Sequence, residues 1–408
     1  MWDFRTLALL LLLVGVNAED GFMRTKGTQL LLNGSPFYAN GFNAYWLMYF
    51  ATEPSDRDKV TSAFQEATRH GLTMARTWAF SDGQRDRALQ VSPASYNEQA
   101  FQGLDFVLSE ARRFGIKLIL SLVNNYDDYG GKNQYVNWAR NQGQPISSDD
   151  DFFTNSVVKG FYKNQIRAIL TRRNRITGVV YKDDPTIMAW ELMNEPRCQA
   201  DPSGKTIQDW IAEMAAHVKS IDENHLLEVG LEGFYSPTSS QKQSNMTFPY
   251  GTDFIANNLV PGIDFATVHS YPEIWLRDSD DETRESFLSN WITIHIEDAE
   301  HVLMKPLLFA EFGRSTKTSS IGQRDQVYNK FYSAIFESAR GGGVVLGSTF
   351  WQLLTEGMDT FRDGYEVILG ENPSTASIIA DQSRKLNHIR NMYVKLENMK
   401  KSKEPGLN

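Results

Sequence analysis

Short apolar runs alternate with amphipathic stretches along this chain, and glycines often stand between them. Apolar runs of about four to eight residues are typical of buried strands, while apolar positions recurring every three to four residues are typical of helices. The predicted strands lie at about residues 37–42, 73–78, 116–123, 186–192, 226–231, 265–269, 306–311 and 343–351. The predicted helices lie at about residues 56–70, 97–114, 152–173, 206–222, 253–258, 282–303, 324–340 and 374–394.

This alternation favours an α/β fold, a (β/α)8 TIM barrel, over an open doubly wound sheet. The chain contains neither a GxGxxG nor a P-loop motif, which weakens the open-sheet alternative. Residues 29–32, followed by Asn33-Gly34, predict a small N-terminal hairpin that closes the bottom of the barrel. Segment 124–148 is predicted to be a long loop that helps to build a binding cleft.

The N-terminus has the pattern of a secretory signal peptide, predicted at 1–18. Arg5 precedes an apolar run, and small residues follow that run. A single catalytic domain is predicted at 19–395, with a polar, frayed tail at 396–408. Since no later segment is apolar and long enough to span a bilayer, the chain is predicted to be secreted.

Charge and cysteine content narrow the partners and the chemistry. The formal net charge is −9, which argues against nucleic acid or an anionic membrane and is compatible with a neutral polymer. Cys198 is the single cysteine, so no intrachain disulfide can form. It is predicted to be a buried structural residue rather than a nucleophile, because no neighbouring histidine is implied. Asn245-Met246-Thr247 is a candidate N-glycosylation sequence in an exported protein.

Two apolar, strand-like runs each have a glutamate at or just beyond the C-terminal end. Glu195 follows the run that begins at Trp190, and Glu311 ends the run that begins at Leu307. Burying a carboxylate without a partner costs several kcal/mol. Two glutamates placed alike on separate strands therefore suggest a pair for acid/base and nucleophilic work, as glycoside hydrolysis requires.

The other predicted strand ends carry polar and aromatic residues. In a barrel, the residues that perform chemistry lie at the C-terminal ends of the strands. The candidates there are Arg76, Trp78, Asn124, Asn125, Asn194, His269, Tyr271 and Trp351. Each has a structural alternative by itself: Arg76 could pair with a rim carboxylate, His269 could be a satisfied core residue, and Tyr271 could pack in a turn. Taken together, however, they favour a functional site.

Two further groups are interpreted from position alone. Glu191 is predicted to be structural, because it lies inside its strand and its side chain alternates away from the neighbours of Asn194. Aromatic residues near the strand–helix loops could stack on the flat faces of sugar rings. These aromatic candidates are Trp46, Trp78, Trp138, Trp275 and Trp351, of which Trp138 and Trp275 could equally cover apolar surface.

Four segments resemble glycoside hydrolase family 5, a clan A family, and within it the plant endo-β-1,4-mannanases. The segments are Phe37-Tyr38-Ala39-Asn40-Gly41-Phe42-Asn43, Ala75-Arg76-Thr77-Trp78-Ala79-Phe80, Asn194-Glu195-Pro196-Arg197-Cys198 and Phe350-Trp351-Gln352-Leu353. The resemblance extends from about residue 22 to residue 394. It implies a (β/α)8 barrel and a retaining mechanism with two glutamates.

The resemblance also implies a role for each candidate. Glu195 corresponds to the general acid/base and Glu311 to the nucleophile. Arg76 would favour the anionic form of Glu311, and Tyr271 would donate a hydrogen bond to it. The remaining implied roles are substrate contacts: Asn194 to the sugar 2-hydroxyl, His269 and Trp78 lining the pocket, and Trp351 beneath the sugar, followed by a cis peptide bond.

The expected activity is endo-β-1,4-mannanase on mannan, galactomannan or glucomannan, with β-mannan polysaccharide as the partner and the cell wall as the location. No metal or organic cofactor is expected, since two carboxylates suffice for the reaction. An endo-β-1,4-glucanase on the same fold, a non-catalytic carbohydrate-binding barrel and an inverting mechanism remain alternatives. The sequence leaves the oligomeric state open.

Overall fold

The computed structural model describes residues 21–236, 246 and 248–401. The predicted signal peptide, Asn245 and Thr247 of the glycosylation sequence, and residues 402–408 lie outside the described residues. The strands are β1 (Met23–Lys26), β2 (Gln29–Leu32), β3 (Ser35–Pro36), β4 (Ala39–Asn43), β5 (Met74–Trp78), β6 (Gln90–Ser92), β7 (Ser95–Tyr96), β8 (Lys117–Ser121), β9 (Ile187–Glu191), β10 (Leu226–Glu228), β11 (Ala266–Ser270), β12 (Leu307–Phe312) and β13 (Val345–Phe350).

Helices separate the barrel strands. The α-helices are α1 (Leu47–Thr52), α2 (Arg57–Arg69), α3 (Glu98–Phe114), α4 (Gly131–Asn141), α5 (Asp151–Thr154), α6 (Ser156–Leu170), α7 (Lys205–Lys219), α8 (Phe254–Asn258), α9 (Pro272–Trp275), α10 (Asp281–Asp298), α11 (Ile321–Arg340) and α12 (Pro373–Lys401). Within the part of the chain that the structure describes, no helix is both long and apolar enough to cross a membrane.

Eight parallel strands form one sheet in the order β10-β9-β8-β5-β4-β13-β12-β11, which confirms the predicted barrel class. β10 and β11 are the two ends of this order, and isolated backbone hydrogen bonds join the segments around them. The N–H of Asp264 donates to Leu227 O at 2.8 Å, and the N–H of His269 donates to Glu232 O at 2.9 Å. The sheet is therefore nearly closed, with a seam between β10 and β11.

The bottom of the barrel is closed by a small antiparallel sheet of β1, β2 and β3. Met23 and Leu30 of this sheet pack in one apolar cluster with Met74, Ile119 and Leu308 from the barrel strands. The predicted hairpin around Asn33-Gly34 is confirmed, and the sheet has one strand more than expected. Because this sheet covers the N-terminal end, the opposite end of the barrel is left for a cleft.

Some predicted boundaries differ from the structure for local reasons. The predicted loop 124–148 contains α4, so that prediction was wrong. Gly130 and Gly131, which suggested a loop, instead allow close backbone packing where α4 begins. Gly131 has φ +54°, and a Cβ there would lie 1.9 Å from Tyr126 O. The predicted helix 152–173 is divided at Asn155, whose extended backbone and side-chain cap start α6.

Two helices near the C-terminus are longer than predicted. α11 begins at Ile321 rather than 324, because Ser320 and Gln323 form a capping box. α12 continues to Lys401, so the first part of the predicted tail 396–408 is helical. Short α1, between β4 and α2, was missed, because six residues are too few to display helical periodicity.

Phe331 joins α11 to the barrel. Its ring lies 5.2 Å from the ring of Phe309 and 4.4 Å from that of Phe312, centroid to centroid, and it is fully buried. We expect Phe331→Ala to lower the free energy of unfolding by about 3–5 kcal/mol, because it leaves a cavity under the helix. Urea unfolding checks this, with exposed Ile321→Ala on the same helix as a control that shifts stability by about 0.5 kcal/mol or less. A loss below about 1 kcal/mol for Phe331→Ala would contradict the packing described.

Candidate active site

The predicted site residues converge at the C-terminal end of the barrel. A cleft of about 320 Å³ opens there, lined by residues from most of the strand ends. The predicted residues that line it are Trp78, Asn124, Asn194, Glu195, Tyr271, Glu311 and Trp351. Arg76 and His269 are fully buried at the same end and contact the two glutamates. Asn125 is the exception: it does not line the cleft, and its Oδ1 accepts the N–H of Arg197 at 3.3 Å. The other strand-end positions predicted from sequence form one site.

Glu195 and Glu311 come together although they are far apart in the chain. One oxygen of each carboxyl and Nδ1 of His269 all lie within 4.8 Å of one another. Glu195 has φ 51°, a left-handed conformation that is unusual for a residue with a side chain. Its N–H donates to Gly230 O at 2.9 Å. Backbone conformations of this kind cluster at functional sites, where the surrounding structure holds them.

Glu311 is fixed by two donors. Arg76 Nη1 donates to its Oε1 at 2.5 Å, and the Tyr271 hydroxyl donates to its Oε2 at 2.8 Å. Burial raises the pKa of Glu311 above its ordinary value, while the charges of His269 and Arg76 act in the opposite direction. Arg76 and Tyr271 thus hold one carboxyl in a fixed orientation, with both of its oxygens occupied.

Glu195 is paired with a histidine instead. His269 Nδ1 lies 2.6 Å from Glu195 Oε1. Burial opposes the ionisation of Glu195, but the hydrogen bond from His269 lowers the pKa of that carboxyl. Burial likewise opposes protonation of His269, yet the charges of Glu311 and Glu195 raise the pKa of the imidazole. Both directions favour an ion pair of a protonated imidazole and an ionised Glu195 carboxylate.

Arg76 lies beneath the cleft and donates to side chains of β4, β9, the turn after β9 and β12. Its Nε and Nη2 donate to the two oxygens of Glu191 at 2.5 and 2.7 Å. Nη2 also donates to Asn194 Oδ1 at 2.7 Å, and Nη1 to Asn43 Oδ1 at 3.0 Å. Glu191 is structural in the sense predicted, since it supports Arg76. The prediction that its side chain lies away from the neighbours of Asn194 was wrong, because both residues bind the same guanidinium.

Aromatic rings form one wall of the cleft. The Trp351 ring stacks on Tyr45 at 5.6 Å, and Tyr45 contacts Trp78 at 5.0 Å. The Trp351 indole N–H donates to Asp363 Oδ2 at 3.0 Å, and the Trp351–Gln352 peptide bond is cis, as the resemblance implies.

The other aromatic candidates lie in different places. Trp275 lines the cleft, as Trp351 does. Trp46 and Trp138 are buried in the hydrophobic core instead. The interpretation of Trp46 as a cleft residue was therefore wrong, whereas for Trp138 the burial agrees with the alternative of a packing role. Trp46 donates its indole N–H to Leu353 O at 2.9 Å, which satisfies the polar end of a core side chain.

Sequence reasoning missed a pair on the side of Glu195. Arg197 Nε and Nη2 donate to the two oxygens of Glu232 at 2.7 and 2.6 Å, and both residues line the cleft. Burial, with the nearby charge of Glu195, raises the pKa of Glu232 to about 8, and Arg197 opposes that rise. Two features of the sequence could have indicated this pair. Arg197 follows Glu195-Pro196 directly, and Glu232 follows the fifth predicted strand.

Tyr126 is the other missed residue of this wall. Its ring lies 5.8 Å from the guanidinium carbon of Arg197, and its hydroxyl is a hydrogen-bond partner of Glu195. The segment around Tyr126 was interpreted only as a loop, and a loop has no periodicity that indicates which side chains face the cleft. Cys198, by contrast, behaves as predicted: it is buried, and burial raises the pKa of its thiol to about 11.

Glu195, His269 and Glu311 offer ligand types that could hold a transition metal ion such as Zn²⁺. The ligand atoms are already engaged with one another or with Arg76 and Tyr271. A dication would have to displace the contact of Arg76 with Glu311 and the hydrogen bond between His269 and Glu195. The hydrogen-bonding pattern therefore suits proton transfer better than metal binding.

Comparison with known proteins agrees with this geometry. The family model described as GH family 5 beta-mannosidase-like matches residues 20–365. The chain belongs to this family.

Curated plant relatives of this family 5 chain extend over almost its whole length. It is 60% identical over 391 residues to "Mannan endo-1,4-beta-mannosidase 1" of Oryza sativa subsp. japonica, covering 95% of this chain and 90% of the relative. It is 61% identical over 405 residues to "Mannan endo-1,4-beta-mannosidase 7" of Arabidopsis thaliana, covering 98% and 92%.

Solved structures of the family have the same fold. The endo-beta-1,4-mannanase from Thermotoga petrophila superposes with a TM-score of 0.76 at 30% identity, covering 88% of this chain and 78% of that one. The endo-1,4-beta-mannanase from Rhizomucor miehei gives 0.75 at 32% identity, covering 90% and 99%.

Proposed function

We propose that this family 5 protein is a retaining endo-β-1,4-mannanase, with Glu311 as the nucleophile and Glu195 as the general acid/base. It would cleave internal β-1,4-mannosidic bonds in mannan, galactomannan and glucomannan. The observation that carries the proposal is the convergence of the two buried carboxyls, one held by Arg76 and Tyr271 and the other by His269. The names of the plant relatives and of the solved structures support mannan as the substrate.

The first chemical step uses both carboxyls. Glu311 attacks the anomeric carbon while the bond to the leaving sugar oxygen breaks, and a proton from Glu195 passes to that oxygen. This forms a glycosyl ester on Glu311 and releases the leaving part of the polymer. In the second step Glu195 removes a proton from water, whose oxygen displaces the Glu311 carboxylate from the sugar.

The proton for the first step can come from His269, the hydrogen-bond partner of Glu195. The distance from His269 Nδ1 to Glu195 Oε1 is 2.6 Å. As negative charge develops on the leaving oxygen, that proton can move to the sugar through Glu195. The opposite requirement applies to Glu311, which must be ionised, and the guanidinium of Arg76 stabilises that form.

The separation of the carboxyls supports retention. Their nearest oxygens lie within 4.8 Å. Retaining enzymes place the carboxyls about 5–5.5 Å apart, whereas inverting enzymes leave about 6.5–9.5 Å for a water molecule. A closest approach within 4.8 Å is nearer to the shorter range, which favours the retaining mechanism over the inverting one.

Two further residues would position the sugar. Asn194 accepts from Arg76 through Oδ1 and donates one Nδ2 hydrogen to Asn124 Oδ1 at 2.9 Å. The second Nδ2 hydrogen is free to bind a hydroxyl next to the anomeric carbon. Trp351, stacked on Tyr45, presents an aromatic surface on which the face of a sugar ring can rest.

Replacing either carboxyl tests the assignment. We expect Glu311→Gln to lower kcat on mannan by at least about 1,000-fold, because no nucleophile remains. Glu195→Gln should lower it by about 10²- to 10⁴-fold, with a smaller loss on substrates whose leaving group needs no proton. Initial rates of reducing-end release on mannan and on an activated aryl β-mannoside measure both effects.

The matched control is Glu300→Gln, an exposed glutamate outside the cleft, which should retain the parent rate. Proton NMR of the first product formed should show the β-anomer. If the α-anomer appears first, or if Glu311→Gln hydrolyses mannan as fast as the parent, the proposed mechanism is wrong.

The choice of mannan over glucan needs its own measurement, because mannose and glucose differ only at C2. We expect reducing-sugar release from galactomannan to exceed that from carboxymethylcellulose by at least about 100-fold in kcat/KM, since unfavourable placement of one hydroxyl costs about 1–3 kcal/mol at each of several sugars. A higher rate on carboxymethylcellulose would favour the endo-β-1,4-glucanase alternative.

We further propose that the enzyme is secreted and acts in the cell wall, on the basis of the signal-peptide pattern at 1–18 and of a polymeric wall substrate. Expressed from its full sequence in plant cells, the protein should appear in the medium or wall fraction with its N-terminus near Glu19. N-terminal sequencing checks the cleavage point, and a variant lacking 1–18 should remain inside the cells. Equal retention of both forms would overturn this proposal.

A further inference from the structure

Two glutamates lie beneath the catalytic pair and take no direct part in the proposed reaction. Glu228 of β10 is the register partner of Glu191 of β9, so their side chains lie next to each other on the inner face of the barrel. Both are fully buried. Isolated carboxylates are very rarely buried together without cations or protons to balance them.

The hydrogen bonds of Glu228 are unequal at its two oxygens. Oε2 accepts the N–H of Gly230 at 2.5 Å and the hydroxyl of Thr267 at 3.1 Å. Oε1 has no donor among the described residues and is closed to solvent. The Glu228 carboxyl also forms a side-chain hydrogen bond with the carboxyl of Glu191, its register partner. Because a carboxylate can only accept, a contact between two carboxyls needs a proton on one of them.

The requirements of Arg76 decide which carboxyl carries the proton. Arginine has five N–H donors, and in Arg76 all five have acceptors: two on Glu191 and one each on Asn43, Asn194 and Glu311. Both oxygens of Glu191 therefore accept charged hydrogen bonds, which favours the anionic form. Among the residues that the structure describes, no cation contacts either oxygen of Glu228, so the proton belongs on Glu228.

We propose that Glu228 is kept as a neutral carboxylic acid that donates its proton to Glu191, and that this pair positions Arg76 against Glu311. Glu191 and Glu228 are positioning residues, and the role rests on the proposed function of Glu311 as the nucleophile. Burial and the charge of Glu191 both raise the pKa of Glu228 well above its ordinary value, with Arg76 opposing, which agrees with the geometry.

The proton keeps the charge beneath the cleft small. With Glu228 neutral, the guanidinium of Arg76 faces two carboxylates, Glu191 and Glu311. A third carboxylate would make the group more negative and raise the pKa of the nucleophile. Gly230 takes part in this arrangement: it has φ +91°, and a Cβ there would lie 1.8 Å from Met193 O and 3.1 Å from Glu191 Cγ. A side chain at this position would clash with the backbone of Met193 and crowd the side chain of Glu191.

Two substitutions at Glu228 distinguish the effect of its proton from the effect of its side-chain shape. Glu228→Gln keeps a neutral group that can donate to Glu191, whereas Glu228→Met keeps the length and removes the donor. We expect Glu228→Met to lower kcat on mannan by roughly ten- to hundredfold with little change in KM, because Glu191 loses a buried hydrogen bond and Arg76 loses its support. Glu228→Gln should recover most of that loss.

The pH profile supplies a readout that a merely structural role would not move. If Glu228 is neutral, Glu228→Gln leaves the charge near Glu311 unchanged, and the acidic limb of kcat/KM stays in place. If Glu228 is ionised, the same substitution removes a negative charge, lowers the pKa of Glu311 and moves the acidic limb to lower pH. A shift to lower pH, or a loss of kcat in Glu228→Gln equal to that in Glu228→Met, would overturn the proposal.

A spectroscopic measurement tests the proton independently of catalysis. The infrared difference spectrum at neutral pH between the parent and Glu228→Gln should contain the carbonyl stretch of a protonated carboxylic acid, and its absence would contradict the assignment. This result stands even if the proposed function fails, which would show instead as an inactive parent enzyme or a fully active Glu311→Gln.

Matched controls separate the effect from general destabilisation. Glu110, a buried acid on α3 that is paired with Arg113, lies outside the cleft. Glu110→Gln and Glu110→Met should keep the parent kcat and acidic limb. Parent-like kcat in folded Glu228→Met would also refute the positioning role, and if that variant does not fold, the pH profile and infrared spectrum of Glu228→Gln still decide.

Discussion

The guanidinium of Arg76 is the interaction on which the catalytic end of the barrel depends. This guanidinium is buried, and each of its N–H donors has an acceptor. The acceptors come from β4, β9, the turn after β9 and β12. A lysine could not make these contacts, because an ammonium group has three donors and no fixed plane. The arrangement couples Glu311, the asparagine beside Glu195 and the strand beneath them to one rigid group.

The barrel makes this arrangement possible because parallel strands present their C-terminal ends in one ring. Residues distant in sequence, such as Glu195 and Glu311, thereby share one environment with different neighbours. His269 adjoins both, at 2.6 Å from Glu195 and 3.6 Å from Glu311. The two identical side chains thus acquire different protonation behaviour from their surroundings, which is the general requirement for a pair of carboxyls with separate roles.

The sequence predicted the barrel class and the residues at the strand ends, because both follow from hydrophobic periodicity and from the position of polar residues after apolar runs. It did not predict the contact of Glu191 with Arg76 or of Glu228 with Glu191. Such contacts depend on cross-strand register, which the alternation within a single strand does not contain. Helix α4 was missed for a related reason: its initial glycines indicate a loop locally, but they are required by backbone packing against Tyr126.

At the seam, β10 and β11 are neighbours but are not paired by a strand ladder. The ladder pairing of the other neighbouring strands is replaced there by scattered bonds, one of which runs from the Thr267 hydroxyl to Glu228. The wall that carries Arg197 and Glu232 and the wall that carries Tyr271 and Glu311 meet along this line. The barrel is therefore closed at this seam by a few separate hydrogen bonds rather than by a strand ladder. A small change in the spacing of β10 and β11 would alter the distance between Glu195 and Glu311 while every strand ladder stays intact.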